Sequence, residues 1–293
     1  MVWADPHCHL YDARVGTLDH ALHAAVGAGV TRMVTVGCDV ETTTSAVRDA
    51  AAGFLQGFDV WATAGAHPHD AVHGTSFIEP LLAVAAELRI VGVGECGLDY
   101  FYDHSPRDVQ RAVFAEQIRL AHAYKLPLVI HTREAWDDTF AVLQDEGVPS
   151  STIFHCFTGG PSEAQACLAL GPGVVLSFSG IVTFPSAQPL RDAAALTPLD
   201  RLTVETDSPY LAPIPFRGKA NTPAYVPYVG AKIAEVKGIS VEEVERATWA
   251  NVARFFRLPT DSTLPPVTVP MPTGPTGPTG SAGSTGPTGS RGC

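Results

Sequence analysis

The sequence predicts an α/β fold, a (β/α)8 TIM barrel, from two observations. Eight short runs rich in Val, Ile, Thr and aromatic residues recur between residues 2 and 206, and segments of helical pattern lie between them. Strands alternating with helices at this spacing imply parallel βαβ units, and eight such units fit a closed barrel better than an open sheet. In chain order the runs are VWADPH (2–7), TRMVTVG (31–37), VWATAG (60–65), IVGVGE (90–95), PLVIH (127–131), TIFHC (152–156), VVLSFSG (174–180) and RLTVET (201–206). Helical pattern covers 77–88, 105–124, 134–146 and 161–170. Ser105 before Pro106, with Asp108 at the third helical position, reads as a helix start. Two more helices are expected after the last strand, at 222–237 and 240–256, the second opening with the capping box Ser240-Val241-Glu242-Glu243.

From Pro259 the composition turns to Pro, Thr, Gly and Ser, so the chain divides into a barrel domain, 1–258, and a low-complexity tail, 259–293. Glycines 274, 277, 280, 283, 286, 289 and 292 keep a three-residue period, which suits either a disordered tail or a collagen-like triple helix that trimerises the chain. Cys293 would crosslink chains only in an oxidising setting.

The chain has 293 residues and a net charge of −11, which argues against a protein that coats duplex nucleic acid or a membrane surface. Apolar runs are short and broken by charge, so no transmembrane helix is expected. The start, MVWADPH, has no basic n-region or apolar h-region, and the six cysteines have no framework-like spacing; cytoplasm and reduced thiols are the expectation.

In such a barrel, functional groups gather at the C-terminal ends of the strands. The first run ends with His7 and His9 in DPHCHL, the fourth with Glu95, the fifth with His131 and the sixth with His155, while the eighth reaches Asp207. All six are metal-ligand types, and packing does not explain four histidines and two carboxylates at matching ends. Strand alternation groups Asp5 with His7 and His9, and turns Cys8, Cys96 and Cys156 away from the proposed ligands as buried structural thiols. Asp207 read alone would also serve as a helix N-cap before Ser208-Pro209.

The motifs DPHCHL, GAHPH, GECGLDY, HTREA, FHCFTG and VETDSPYL, in this order, resemble the TatD family of metal-dependent deoxyribonucleases over about residues 2–256. The resemblance implies a two-metal site and hydrolysis of DNA phosphodiester bonds, typically 3′→5′ on single strands. It implies that His7, His9, Glu95 and Asp207 hold one divalent ion, with Glu95 bridging to a second held by His131 and His155. Glu95 and Asp207 are then the catalytic carboxylates, Asp207 positioning the attacking water and moving its proton. Four imidazoles favour Zn, Mn, Co or Ni, while the resemblance allows Mg or Mn.

Around this set the readings stay open. His67 either contacts a substrate phosphate or caps the third strand. Arg133, Arg217 and Lys219, in loops after strands five and eight, either grip nucleotide phosphates or are solvated charges. Glu205 either orients a ligand or forms a buried salt bridge. His69 and His73 are expected in solvent, and His20, His23, His104 and His122 on loops or helix surfaces. Two other functions compete with the nuclease. One is an amidohydrolase-like enzyme acting on a small ester, lactone or amide, disfavoured because no lysine ends strand four; the other is a non-catalytic assembly protein with structural metals, disfavoured by an open ligand cluster at a barrel mouth.

Overall fold

The computed structural model describes residues 2–260. The Gly-x-y segment and Cys293 lie outside the described residues.

Eight parallel strands follow one another in sequence order around a single sheet. They are β1 (Trp3–Cys8), β2 (Val30–Val36), β3 (Asp59–Ala64), β4 (Ile90–Asp99), β5 (Leu128–Arg133), β6 (Thr152–Phe154), β7 (Val174–Phe178) and β8 (Leu202–Val204). Closure comes just past the end of β8. The amide of Asp207 donates to the His7 carbonyl at 2.9 Å, and that of His9 to the Ser208 carbonyl at 2.8 Å. These bonds bring the chain after β8 back to β1, so the TIM barrel expected from the alternating pattern is the fold observed.

The helices are α1 (Leu18–Gly27), α2 (Val40–Leu55), α3 (Ile78–Leu82), α4 (Arg107–Tyr124), α5 (Trp136–Glu146), α6 (Pro161–Ala169), α7 (Gln188–Leu196), α8 (Val226–Lys237) and α9 (Val241–Phe256). Each lays an apolar stripe on the outside of the sheet. Trp3, fully buried, shows how tightly: a Cβ on Gly230 of α8 would lie 2.1 Å from its ring, so the helix seats there only with glycine. The predicted capping box of α9 is present, Ser240 and Glu243 each accepting the other's backbone N–H. At its far end, Phe255, Phe256 and Leu258 pack with Val34, Val129, Ile153 and Val175, closing the barrel below the strands and away from their C-terminal ends. Just beyond α9, the Pro259 carbonyl accepts from Nη2 of the buried Arg32 at 2.7 Å.

One predicted helix start is corrected. The N-cap of α4 is Pro106, not Ser105. The Ser105 hydroxyl donates instead to the His69 carbonyl at 2.8 Å, and its own carbonyl accepts from Gln110. A tertiary contact claims the side chain that local pattern assigns to the helix.

Candidate metal centre

The site begins with how close β4 and β5 run. Gly97 has φ of +135°, and a Cβ there would sit 2.0 Å from the His131 carbonyl oxygen, so only glycine permits the approach. Glu95 and Asp99, of one parity on β4, then flank the His131 ring. Oε1 of Glu95 lies 3.1 Å from Nδ1, and Oδ2 of Asp99 lies 3.0 Å from Nε2.

Glu95 is the hub, and its two oxygens face different partners. Oε2 is 3.3 Å from His7 Nε2, whereas Oε1 is 2.7 Å from His155 Nε2, 3.1 Å from His131 Nδ1 and 3.5 Å from His67 Nε2. Asp207 approaches from across the closure, its Oδ1 3.4 Å from His9 Nε2 and 3.8 Å from His7 Nε2. It holds a left-handed backbone, φ 55°, a conformation aspartate tolerates better than most residues. The N–H that donates to His7 is its own, so the turn that closes the barrel also aims this carboxylate.

The outer nitrogen of three rings is already engaged, which fixes the nitrogen each presents inward. Tyr11 donates to the Val36 carbonyl at 3.0 Å, so His9 Nδ1, 2.8 Å from that hydroxyl, is its donor and Nε2 is left toward Asp207. His155 Nδ1 meets Glu205 at 3.3 Å, and His131 Nε2 meets Asp99. Glu205 is fixed in turn by the amide of Cys156 and the hydroxyl of Ser177, both at 2.5 Å.

Burial raises a carboxyl's pKa, yet Glu95 sits well below its ordinary value because the charge of His155, then His67 and His7, and contact with His131 outweigh that cost. Burial opposes protonation of His155 as well, but Glu95 and Glu205 hold it well above the usual imidazole value. His67 lacks such compensation, and burial pushes it down to about 3. Burial also raises the Cys8, Cys96 and Cys156 thiols. The first two donate to the Val34 and Val129 carbonyls at 3.3 Å, so they are neutral and turned from the cluster.

The donor set fits divalent cations. Nε2 of His7, His67 and His155 and Oε1 of Glu95 are buried and make no hydrogen bond, an arrangement that costs about 1–3 kcal/mol per group unless something else satisfies it. These atoms crowd together without hydrogen-bond geometry, as lone pairs do when they converge on a cation. Three trios each offer ligand atoms within 4.8 Å of one another: His7, His9 and Glu95; His7, His155 and Asp207; His67, Glu95 and His131. Glu95 belongs to two of the three.

The sequence profile described as TatD related DNase matches residues 4–257. The chain belongs to the TatD family. It is 39% identical over 258 residues to the uncharacterized metal-dependent hydrolase YabD of Bacillus subtilis, covering 87% of this chain and 98% of that protein. It is 34% identical over 249 residues to the 3′-5′ ssDNA/RNA exonuclease TatD of Klebsiella pneumoniae, covering 81% of this chain and 91% of that protein. Among solved structures, the TatD homologue YjjV of Escherichia coli K12 superposes with a TM-score of 0.79 at 29% identity, over 88% of this chain and 98% of that one. As a TatD-family protein the chain is a metal-dependent hydrolase.

The structure brings all six residues expected to bind metal into one cluster, buried except at the partly exposed His131, and several other residues stand elsewhere than expected. Asp5 does not share the face of His7 and His9: pairing of β1 with β2 is irregular between Asp5 and Cys8, and the Asp5 carboxylate turns to Thr206, accepting from its hydroxyl at 2.5 Å. His67 caps a short 3-10 helix, accepting from the His69 amide at 3.2 Å, and also faces Glu95; fully buried, it belongs to the cluster rather than to the surface. Glu205 orients His155. Asp207 is no helix cap. Arg133 lies over the rings of Phe101 and Tyr102, Arg217 lies over Phe184, and Lys219 is exposed. His69, expected in solvent, is paired with Asp99 at 3.1 Å. Asp99 lies beyond the apolar run that marks the fourth strand in sequence, which ends at Glu95, whereas β4 runs ten residues; its parity with Glu95 is the signal the sequence offers.

Proposed function

We propose that this TatD-family enzyme is a nuclease that hydrolyses phosphodiester bonds of single-stranded DNA, removing nucleotides from the 3′ end, with two divalent ions on the six-residue set. The single observation that carries the two-ion reading is Glu95, whose Oε2 faces His7 while its Oε1 faces His131 and His155. The name of the Klebsiella relative supports the substrate and the polarity. The ions would supply Lewis acidity, lowering the pKa of a water and offsetting charge on the phosphoryl oxygens.

The protein's own groups do the rest. Glu95 and Asp207 would offset only part of the charge of two divalent ions and leave the cavity about +2, a field that attracts an anion and so reconciles an acidic protein with an anionic substrate. Asp207 positions the attacking water and takes its proton. Asp99, Glu205 and Tyr11 hold their histidines in the tautomers that aim lone pairs inward. The nitrogen-rich set suits Mn or Zn as well as, or better than, Mg. Residues 1–258 form the catalytic unit and 259–293 take no part in catalysis.

The test is metal-reconstituted protein on single-stranded DNA and RNA labelled at either end, beside a panel of neutral esters, lactones and amides. Mononucleotides released from the 3′ end support the proposal. Turnover of the small neutral substrates with the oligonucleotides untouched moves the enzyme to the amidohydrolase reading.

A further inference from the structure

We propose that Phe101 and Tyr102, braced by Arg133, form a base-stacking subsite that seats a nucleobase of single-stranded nucleic acid beside the scissile phosphodiester. The inference rests on the nuclease reading and adds to it where the substrate's base lies.

Both rings are exposed at the catalytic end of the barrel, in the loop that follows β4. Phe101 is 51% and Tyr102 45% accessible, so the two neighbours present a contiguous aromatic surface to solvent. The Arg133 guanidinium, from the end of β5, lies 4.0 Å from the Phe101 centroid and 4.7 Å from that of Tyr102. Tyr102 is also nearly parallel to His104, their planes 11° apart. Single-stranded nucleic acid is gripped by aromatic faces for bases together with cations for the backbone, and this loop presents both.

The link to the candidate metal centre is one carboxylate. Oδ1 of Asp99 accepts from the amides of Phe101 and Tyr102 at 3.0 and 2.9 Å, while Oδ2 meets His131 and His69 at 3.0 and 3.1 Å. The group that orients His131 therefore also fixes the loop carrying the two rings. A stacked base would be held at a set offset from the site, not on a free arm. Arginine over an aromatic ring is not the signal by itself. Arg89 lies 4.0 Å from Phe54, which is 47% exposed, but Phe54 stands in the last turn of α2, at the other end of the barrel. Phe54 thus supplies an internal control.

The experiment compares wild type, the double variant Phe101→Ala/Tyr102→Ala, and Phe54→Ala, all metal-loaded, on a short single-stranded DNA and on the same strand with abasic sugars replacing its 3′-terminal nucleosides. Loss of stacking on one base predicts KM raised about five- to a hundred-fold in the double variant, with kcat and metal content little changed. The abasic strand should raise wild-type KM similarly, and should cost the double variant nothing further. Phe54→Ala should match wild type. A second readout needs no turnover: 2-aminopurine in a phosphorothioate strand should be quenched on binding wild type and not on binding the double variant.

An unchanged KM for the double variant, or an abasic penalty that persists in it, overturns the subsite and leaves the nuclease intact. Failure of wild type to cleave or bind any single strand overturns the nuclease reading and the subsite with it.

Discussion

Oε1 of Glu95 lies 2.7 Å from Nε2 of His155, both atoms buried and neither in a hydrogen bond. The two atoms approach each other as two ligand atoms of one cation do, and without a cation the adjoining carboxylates Glu95 and Glu205 favour a proton on His155. His155 and His131 both titrate above the ordinary imidazole value: burial opposes it, but Glu95 and Glu205 outweigh the cost at His155, and Asp99 and Glu95 at His131.

The first prediction follows from the sign of those shifts. A raised folded-state pKa means the proton's stabilisation is complete below the unfolded value, near 6.5, and fades as pH climbs through the raised value. A metal must displace these protons, so metal uptake at pH 7 releases them and apparent affinity rises with pH across that window. Calorimetry in two buffers of different ionisation enthalpy checks it. Buffer-independent heats would contradict it.

The second prediction concerns Asp99. Replacing it with Ala removes the partner of His131 Nε2 and should weaken binding of one ion about 10–100-fold, measured by competition with a chelating dye. Asp99→Asn, which can still accept from that nitrogen, should recover part of the loss. Equal affinity in wild type and Asp99→Ala would show that His131 needs no such support.

The third prediction concerns the C-terminal segment. No residue proposed to bind metal lies beyond Asp207, and α9 closes the barrel at Phe256. A chain stopped after Leu264 should fold, load metal and hydrolyse substrate like the full chain, with only assembly free to change. Loss of activity at unchanged metal content would mean that the tail reaches the site.

The fourth prediction uses salt. If Arg133, Arg217 and Lys219 hold two or three phosphates beyond the scissile one, log K for a single strand should fall against log salt with a slope of about −1.4 to −2.1. Fourfold more salt then weakens binding roughly seven- to eighteen-fold, read as KM at saturating metal. The slope should shrink in Lys219→Ala; a KM indifferent to salt would remove these side chains from the phosphates.

The barrel and the six clustered residues were legible because both follow rules that act along the chain. Strand and helix periods repeat, and parallel closure carries every strand end to one mouth, so His131 and Asp207, 76 positions apart in sequence, needed no contact information to be grouped. The remainder depended on contacts between segments. Asp99 was hidden because β4 outruns the apolar run that marks it, and the closeness of β4 to β5 rests on Gly97, whose sequence context says nothing of His131. Ser105 has the look of a cap, and the His69 carbonyl takes it. His69 looks like a loop residue until the turn after β3 brings it to Asp99. Asp5 lost its parity with His7 to an irregularity in β1 that alternation cannot foresee.

The central claim is two ions bridged by Glu95 and required for hydrolysis. Its most direct measurement is elemental analysis of chelator-stripped and reconstituted protein, run beside cleavage of end-labelled single-stranded DNA on the same samples. The account predicts about two ions per chain in the reconstituted enzyme, no cleavage in the stripped one, and loss of both ion binding and cleavage in Glu95→Ala. Full cleavage by metal-free protein, or full metal content and activity in Glu95→Ala, would contradict it.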